Sequence, residues 1–339
     1  MIPIESKIVN NKLYIRLIAL WILIEAFLGG IIHGLKLPVS GLFVGGSAMI
    51  CIILIAHHFP EKGSVLKAMI LVAIFKMLLS PHSPAPAYLA VFFQGVLGEF
   101  LLKRKSIFAV ASILFGIITM LESATQRILV LVILYGSEFW KAVDVWLVKT
   151  TGIEHFNQFS ILLATGYLAM HFLVGAFLGW CGWRLSKISF QEQNGVMKII
   201  THRISIEEPL SPKTGKRQKK VRLGLFLLWI FAVFFFVQAL LQPEKAFLPA
   251  NKIFELILRF FIILSTWFLI IQPVLTKLIR RWLKEKKGEL ASQIADIHSI
   301  IPEVKFLVIE SWKRSGSKLS NLKLFLKILL FNLFHADNE

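Results

Sequence analysis

The chain reads as an all-α protein, a polytopic bundle of transmembrane helices. Three features carry that reading. Of 339 residues, 56% are hydrophobic and 17% charged, and the mean hydropathy is +0.70. The apolar residues fall in long blocks, and a crossing of the hydrocarbon takes roughly 20 such residues. Lys and Arg gather at the ends of those blocks, where cytoplasmic anchors belong. Backbone polar groups in lipid must be satisfied within the segment, so a helix is the economical crossing. A β-barrel calls for short stretches of alternating polarity, which this sequence lacks.

Taken in order, the first span runs from about Leu13 to Leu35 and stops at Lys36-Leu37-Pro38. It is too long for a signal-peptide core and has no A-x-A site, so it is expected to be retained. The second runs from about Ser40 to His58 and ends at Pro60-Glu61-Lys62-Gly63. The third covers about Ser64 to Leu79. Prolines 81, 84 and 86 then predict a non-helical turn over 80–86. The fourth, about Ala87 to Leu102, closes at Lys103-Arg104-Lys105. The fifth starts at Ser106 and keeps its helical pattern to about Gly136, longer than one perpendicular crossing, so it must tilt, kink or project. A mixed-charge stretch, 137–157, precedes the sixth span, about Phe159 to Trp183.

The domain organisation follows: a six-span module (1–185), a basic cytoplasmic linker (186–222), a two-span hairpin (223–276) and a basic amphipathic tail (277–339). The hairpin spans are about Leu223 to Leu241 and Ile253 to Leu275. In the tail, Leu319 to Phe334 is strongly apolar with Lys323 and Lys327 on one face, a pattern for lying in the interface or docking on a cytoplasmic partner.

The formal net charge of +18 invites a nucleic-acid reading. Its placement at span ends, without one basic face or a recognition motif, favours anionic lipid headgroups instead. The same placement puts both termini in the cytoplasm: Lys62, the 103–105 trio, 184–222 and the tail lie on one side. The other side carries Lys36, an uncharged 80–86 turn and the charge-balanced 137–157 stretch. The two cysteines, Cys51 and Cys181, sit in apolar runs and form no CxxC pair.

Small residues recur four apart at Ala26, Gly30 and Gly34, at Gly41 and Gly45, and at Gly175 and Gly179, a spacing that lets helix backbones approach closely. The span-one set is also a candidate stripe for docking a partner subunit. Polar groups at membrane depth are costly and therefore informative. Glu25, Lys76, Gln94, Glu99, Glu122, Gln126, Arg127 and His171 occupy such positions. Glu99 can pair with Lys103 one turn away, and Lys76 can snorkel outward. Glu122 is deep enough to need an internal partner or a ligand. No HExxH spacing supports a metal site, and neither a phosphate-binding loop nor a G-x-S-x-G elbow is present, so no cofactor is expected and no enzymatic role is read from motifs.

Residues 13–183 resemble the substrate-binding S component of energy-coupling factor vitamin transporters. The resemblance rests on six helices with both ends inside, on Gly29-Gly30-Ile31-Ile32-His33-Gly34-Leu35-Lys36-Leu37-Pro38 leading into a Gly-rich second helix, and on the outward 80–86 turn entering Ala87-Tyr88-Leu89-Ala90-Val91-Phe92-Phe93-Gln94-Gly95. It implies one small-molecule site near the outer face, for a vitamin or precursor, with a membrane scaffold T subunit and two ATPase subunits as partners. Family members meet that scaffold through small residues spaced as Ala26, Gly30 and Gly34 are. His33, Lys76, His82, Tyr88, Gln94, Glu122 and His171 are the polar residues placed to reach such a site. The chain departs from the family after the sixth span, where S components end. A reduced T-like module would fit there, but no Ala-Arg-Gly signature is present. Two other functions compete with uptake of a solute: a membrane scaffold or assembly protein whose polar residues merely join helices, and an enzyme using Glu122, Arg127 and His171 on a lipid-like substrate.

Overall fold

The computed structural model describes residues 4–30, 40–80, 83, 85–152, 158–188, 199, 254, 257 and 287–335. Among them every regular element is helical and no strand occurs. The elements are α1 (Ile4–Leu23, continued by a π turn, Ile24–Leu28), α2 (Ser40–His58), α3 (Ser64–Leu79), α4 (Ala85–Leu101), α5 (Phe108–Thr151), α6 (Phe159–Ser186), α7 (Lys287–Arg314) and α8 (Leu322–His335). Three stretches are long and apolar enough to cross a membrane: Gly41–His58, Lys105–Ile133 and Phe159–Ser186. A shorter apolar stretch spans Pro86–Leu101. The expected spans at 223–241 and 253–275 lie outside the described residues, apart from Phe254 and Ile257.

Two expected boundaries are resolved. The fifth apolar block ends near Gly136 as expected: its membrane-length stretch is Lys105–Ile133, and the helical path breaks at Gly136, whose backbone sits at φ 68° and ψ −162°. The mixed-charge residues after the break are helical from 137 to 151, and glycine adopts the positive φ at the break at little cost. The other boundary is at Ala85, where α4 begins inside the proline-rich turn with Pro86 in its first turn; there a missing N–H costs nothing.

The chain divides into two compact units. The first comprises Met1–Gln126, Thr165–Glu208 and Lys286–Glu339. At its centre is α1, whose Leu17, Ile18, Ala19, Trp21 and Ile22 are wholly buried. α2, α3, α7 and α8 pack around it. The tail does not stand apart. Ile297, Ile301, Val304 and Leu307 recur every three or four residues on α7 and are fully buried, as are Ile328 to Leu333 of α8 to within a few per cent. The Arg16 guanidinium donates to Glu303 at 2.9 and 3.2 Å and to the Leu333 carbonyl at 3.5 Å. Asn332 accepts from the Ile199 amide at 2.7 Å. The amphipathic helices thus dock on α1 of their own chain.

The α5–α6 pair shows what the glycine spacing does. A Cβ added at Gly175 or Gly179 would run into the backbone of Gly116 or Ser112, and one added at Gly116 would overlap the Gly175 carbonyl. The two backbones touch, which gains dispersion contacts where lipid offers no hydrophobic drive. The second unit comprises Arg127–Ala164 and Pro209–Glu285. Within it Asp144 accepts from the Ser160 amide at 2.6 Å and from its hydroxyl at 2.9 Å, satisfying free donors at the start of α6.

Candidate functional site

An ion pair lies at the heart of the first unit. Lys76 Nζ meets Glu25 Oε2 at 2.5 Å, and both side chains are 5% exposed or less. Glu25 sits in the π turn of α1, where one extra residue per turn alters the direction in which the side chain leaves the helix. Lys76 lies on the last turn of α3, at the end of a buried run, Leu71 to Phe75. It also donates to the Ala87 carbonyl at 3.1 Å and lies 5.7 Å from the centre of the Tyr88 ring. The ammonium does not snorkel: Lys76 is buried, and a carboxylate from another helix balances its charge in place.

Deeper along α4, Gln94 is 2% exposed. Its Nε2 packs on Gly45, where an added Cβ would stand 3.2 Å away, and Met120 closes the other side. Its Oε1 has no hydrogen-bond donor among the described residues. Gly41 does the same a turn further out, where a Cβ would collide with the Ser123 hydroxyl. The glycines of α2 thus make room for polar side chains of α4 and α5, a second use of a stripe that reads in sequence as backbone packing alone.

The other candidates stand apart from this pair. Glu122 accepts a hydrogen bond from Gln126 on its own helix, and its buried Oε2 has no donor among the described residues. His171 Nδ1 lies 2.9 Å from the Tyr167 carbonyl one turn back, and the Tyr167 ring stacks on it at 4.2 Å. No hydrogen bond joins Glu122 to His171 among the described residues, and Arg127 is exposed. Ala26 is buried, whereas space is open around Gly30. His33, His82 and Gly34 lie outside the described residues.

At the opposite end of α3 the expected Glu99–Lys103 pair forms at 3.4 Å. Glu99 does more: it accepts from the Gly63 amide at 2.8 Å and from the Val65 amide at 3.2 Å, capping the start of α3. Nearby, His57 and His58 meet edge to face at 4.9 Å, bracketed by Phe108 and Phe334. Among the described residues no three His, Cys, Asp or Glu side chains gather as metal ligands do.

Sequence reasoning placed Glu25 and Lys76 at membrane depth but did not join them, since 51 residues separate them. It passed over Arg16 entirely. The available signal was an arginine inside an apolar block with no acid three or four residues to either side. Family models, curated proteins and solved structures yield no match to this chain.

Proposed function

We propose that the chain is a polytopic inner-membrane protein with both termini cytoplasmic. Its six-span N-terminal module serves as the binding subunit for uptake of a small organic solute, a vitamin or precursor. Separate ATPase subunits would energise uptake through a membrane scaffold subunit. The single observation behind this reading is the Glu25–Lys76 pair. Two charges sunk in an apolar core add little net stability over an apolar pair of the same size. An ionisable residue at membrane depth most often belongs to a substrate or ion pathway. The pair sits beside Tyr88, where α4 enters from the 80–86 turn, and the Lys76 ammonium spends two of its three donors on Glu25 and Ala87. One donor, an aromatic face and the vacant Gln94 oxygen deeper in the core are the kinds of groups that orient a mostly apolar solute.

Purification of the full chain in mild detergent, followed by identification of co-purifying proteins and extracted small molecules, tests this. Recovery of ATPase subunits with a solute that Lys76→Met no longer retains is the expected result. Recovery of neither overturns it. The scaffold reading also has an observation in its favour: the tail helices bind α1 through Arg16 and Glu303, and Ala26 of the docking stripe is already covered. On that reading the chain captures membrane proteins without ATPases, and no solute accompanies it.

A further inference from the structure

We propose that the end of the α5–α6 pair bearing Lys105, Arg184 and Lys187 is a binding site for the headgroup of an anionic phospholipid. The proposal rests on α6 being a membrane crossing and is independent of any solute. All three cations are exposed, and none pairs with a carboxylate among the described residues. The neighbouring Lys103, by contrast, is bound to Glu99. Gly179 of α6 packs directly on the Ser112 backbone of α5, so the end of α6 that carries Arg184 and Lys187 lies beside the start of α5, which Lys105 immediately precedes.

Arg184 and Lys187 are held without being neutralised. Arg184 lies 5.3 Å from the Trp180 ring and 5.9 Å from the Trp183 ring, and Lys187 lies 4.6 Å from the Trp183 ring. Stacking on an indole fixes a cation through its face and leaves its N–H donors free. Free donors fixed in place suit phosphate oxygens, which guanidinium and ammonium groups bind through charge-assisted hydrogen bonds. Tryptophan is itself enriched at the level of lipid headgroups.

The apolar surface beside these cations decides between a lipid and a soluble anion. Leu173, Phe177 and Trp180 are 67, 59 and 41% exposed. Their spacing of four and three residues continues to Arg184, so one stripe of α6 runs from bare hydrocarbon to positive charge. A soluble phosphate would use the charge and leave the stripe in water. A phospholipid uses both, its phosphate on the cations and an acyl chain along the stripe.

The test is native mass spectrometry of the full chain, delipidated in detergent and offered phosphatidylglycerol or phosphatidylcholine. The wild-type chain is expected to retain the anionic lipid preferentially, with the preference lost as salt is raised. Lys105→Gln, Arg184→Gln and Lys187→Gln together should weaken retention roughly a hundredfold, each basic residue near an anionic surface contributing about fivefold. Lys323→Gln with Lys327→Gln, on the tail, should leave it unchanged. Equal retention of the two lipids by the wild-type chain overturns the proposal, and that comparison does not depend on the variants folding. Full competition by inorganic phosphate overturns it too, since it would mark a site for a soluble anion. Failure to find any solute has no bearing on this result.

Discussion

Lys76 and Glu25 illustrate how charges are tolerated in an apolar core. Each alone would be a buried charge without a counter-ion; together they cancel within 2.5 Å. Removing one partner leaves the other buried and uncompensated, so Glu25→Gln or Lys76→Met should each destabilise the protein by about 3 kcal/mol. Glu25→Gln with Lys76→Met should recover most of that loss, because the double variant leaves neither a carboxylate nor an ammonium buried without its counter-charge. Thermal unfolding of the three variants in one detergent checks this. If solute retention follows stability and returns in the double variant, the pair is structural only. Gly63 makes a smaller point. It enters α3 at φ 86°, a left-handed conformation that a Cβ disfavours. Gly63→Ala is expected to cost about 1 kcal/mol, read as a lower melting temperature with the overall helix content unchanged.

Among the helices, α6 separates glycines that pack from one that does not. Gly175 faces the α5 backbone, whereas Gly166 has open space where a side chain would go. Gly175→Val should part the two helices and abolish a monodisperse detergent-purified species. Gly166→Ala should be neutral or stabilise by up to about 1 kcal/mol, since alanine is the better helix former. Size-exclusion profiles of the two variants make the comparison. A monodisperse Gly175→Val protein would contradict the close approach of α5 and α6.

At the level of the whole first unit, the chain closes on itself: residues 287–335 return to cover α1. The Arg16–Glu303 bridge joins positions 287 apart in sequence. Arg16→Glu should loosen the tail and make the 287–335 helices sensitive to limited proteolysis. Arg16→Glu with Glu303→Arg should restore protection, an outcome that a nonspecific folding defect would not give. The crossing directions carry their own test. With both termini cytoplasmic, Ser83→Cys in a background lacking Cys51 and Cys181 should react with an impermeant maleimide added outside intact cells. Labelling only after the cells are opened would reverse the proposed topology and remove the basis for uptake.

The amino-acid order alone determined the helical class, the apolar blocks at about 40–58, 106–136 and 159–183, each matched to within a few residues by a membrane-length helical stretch, and the Glu99–Lys103 pair, because each depends on residues within one helix or one turn of each other. Local spacing also marked Gly175 and Gly179 as packing residues, though not that Gly116 would receive them. The tertiary structure decided what depends on distance through space. It joined Lys76 to Glu25, set Gln94 against Gly45, and packed the amphipathic tail on α1. Those pairings are contacts between helices far apart in the chain. Hydropathy and periodicity report which face of a helix is buried, but not which other helix it is buried against.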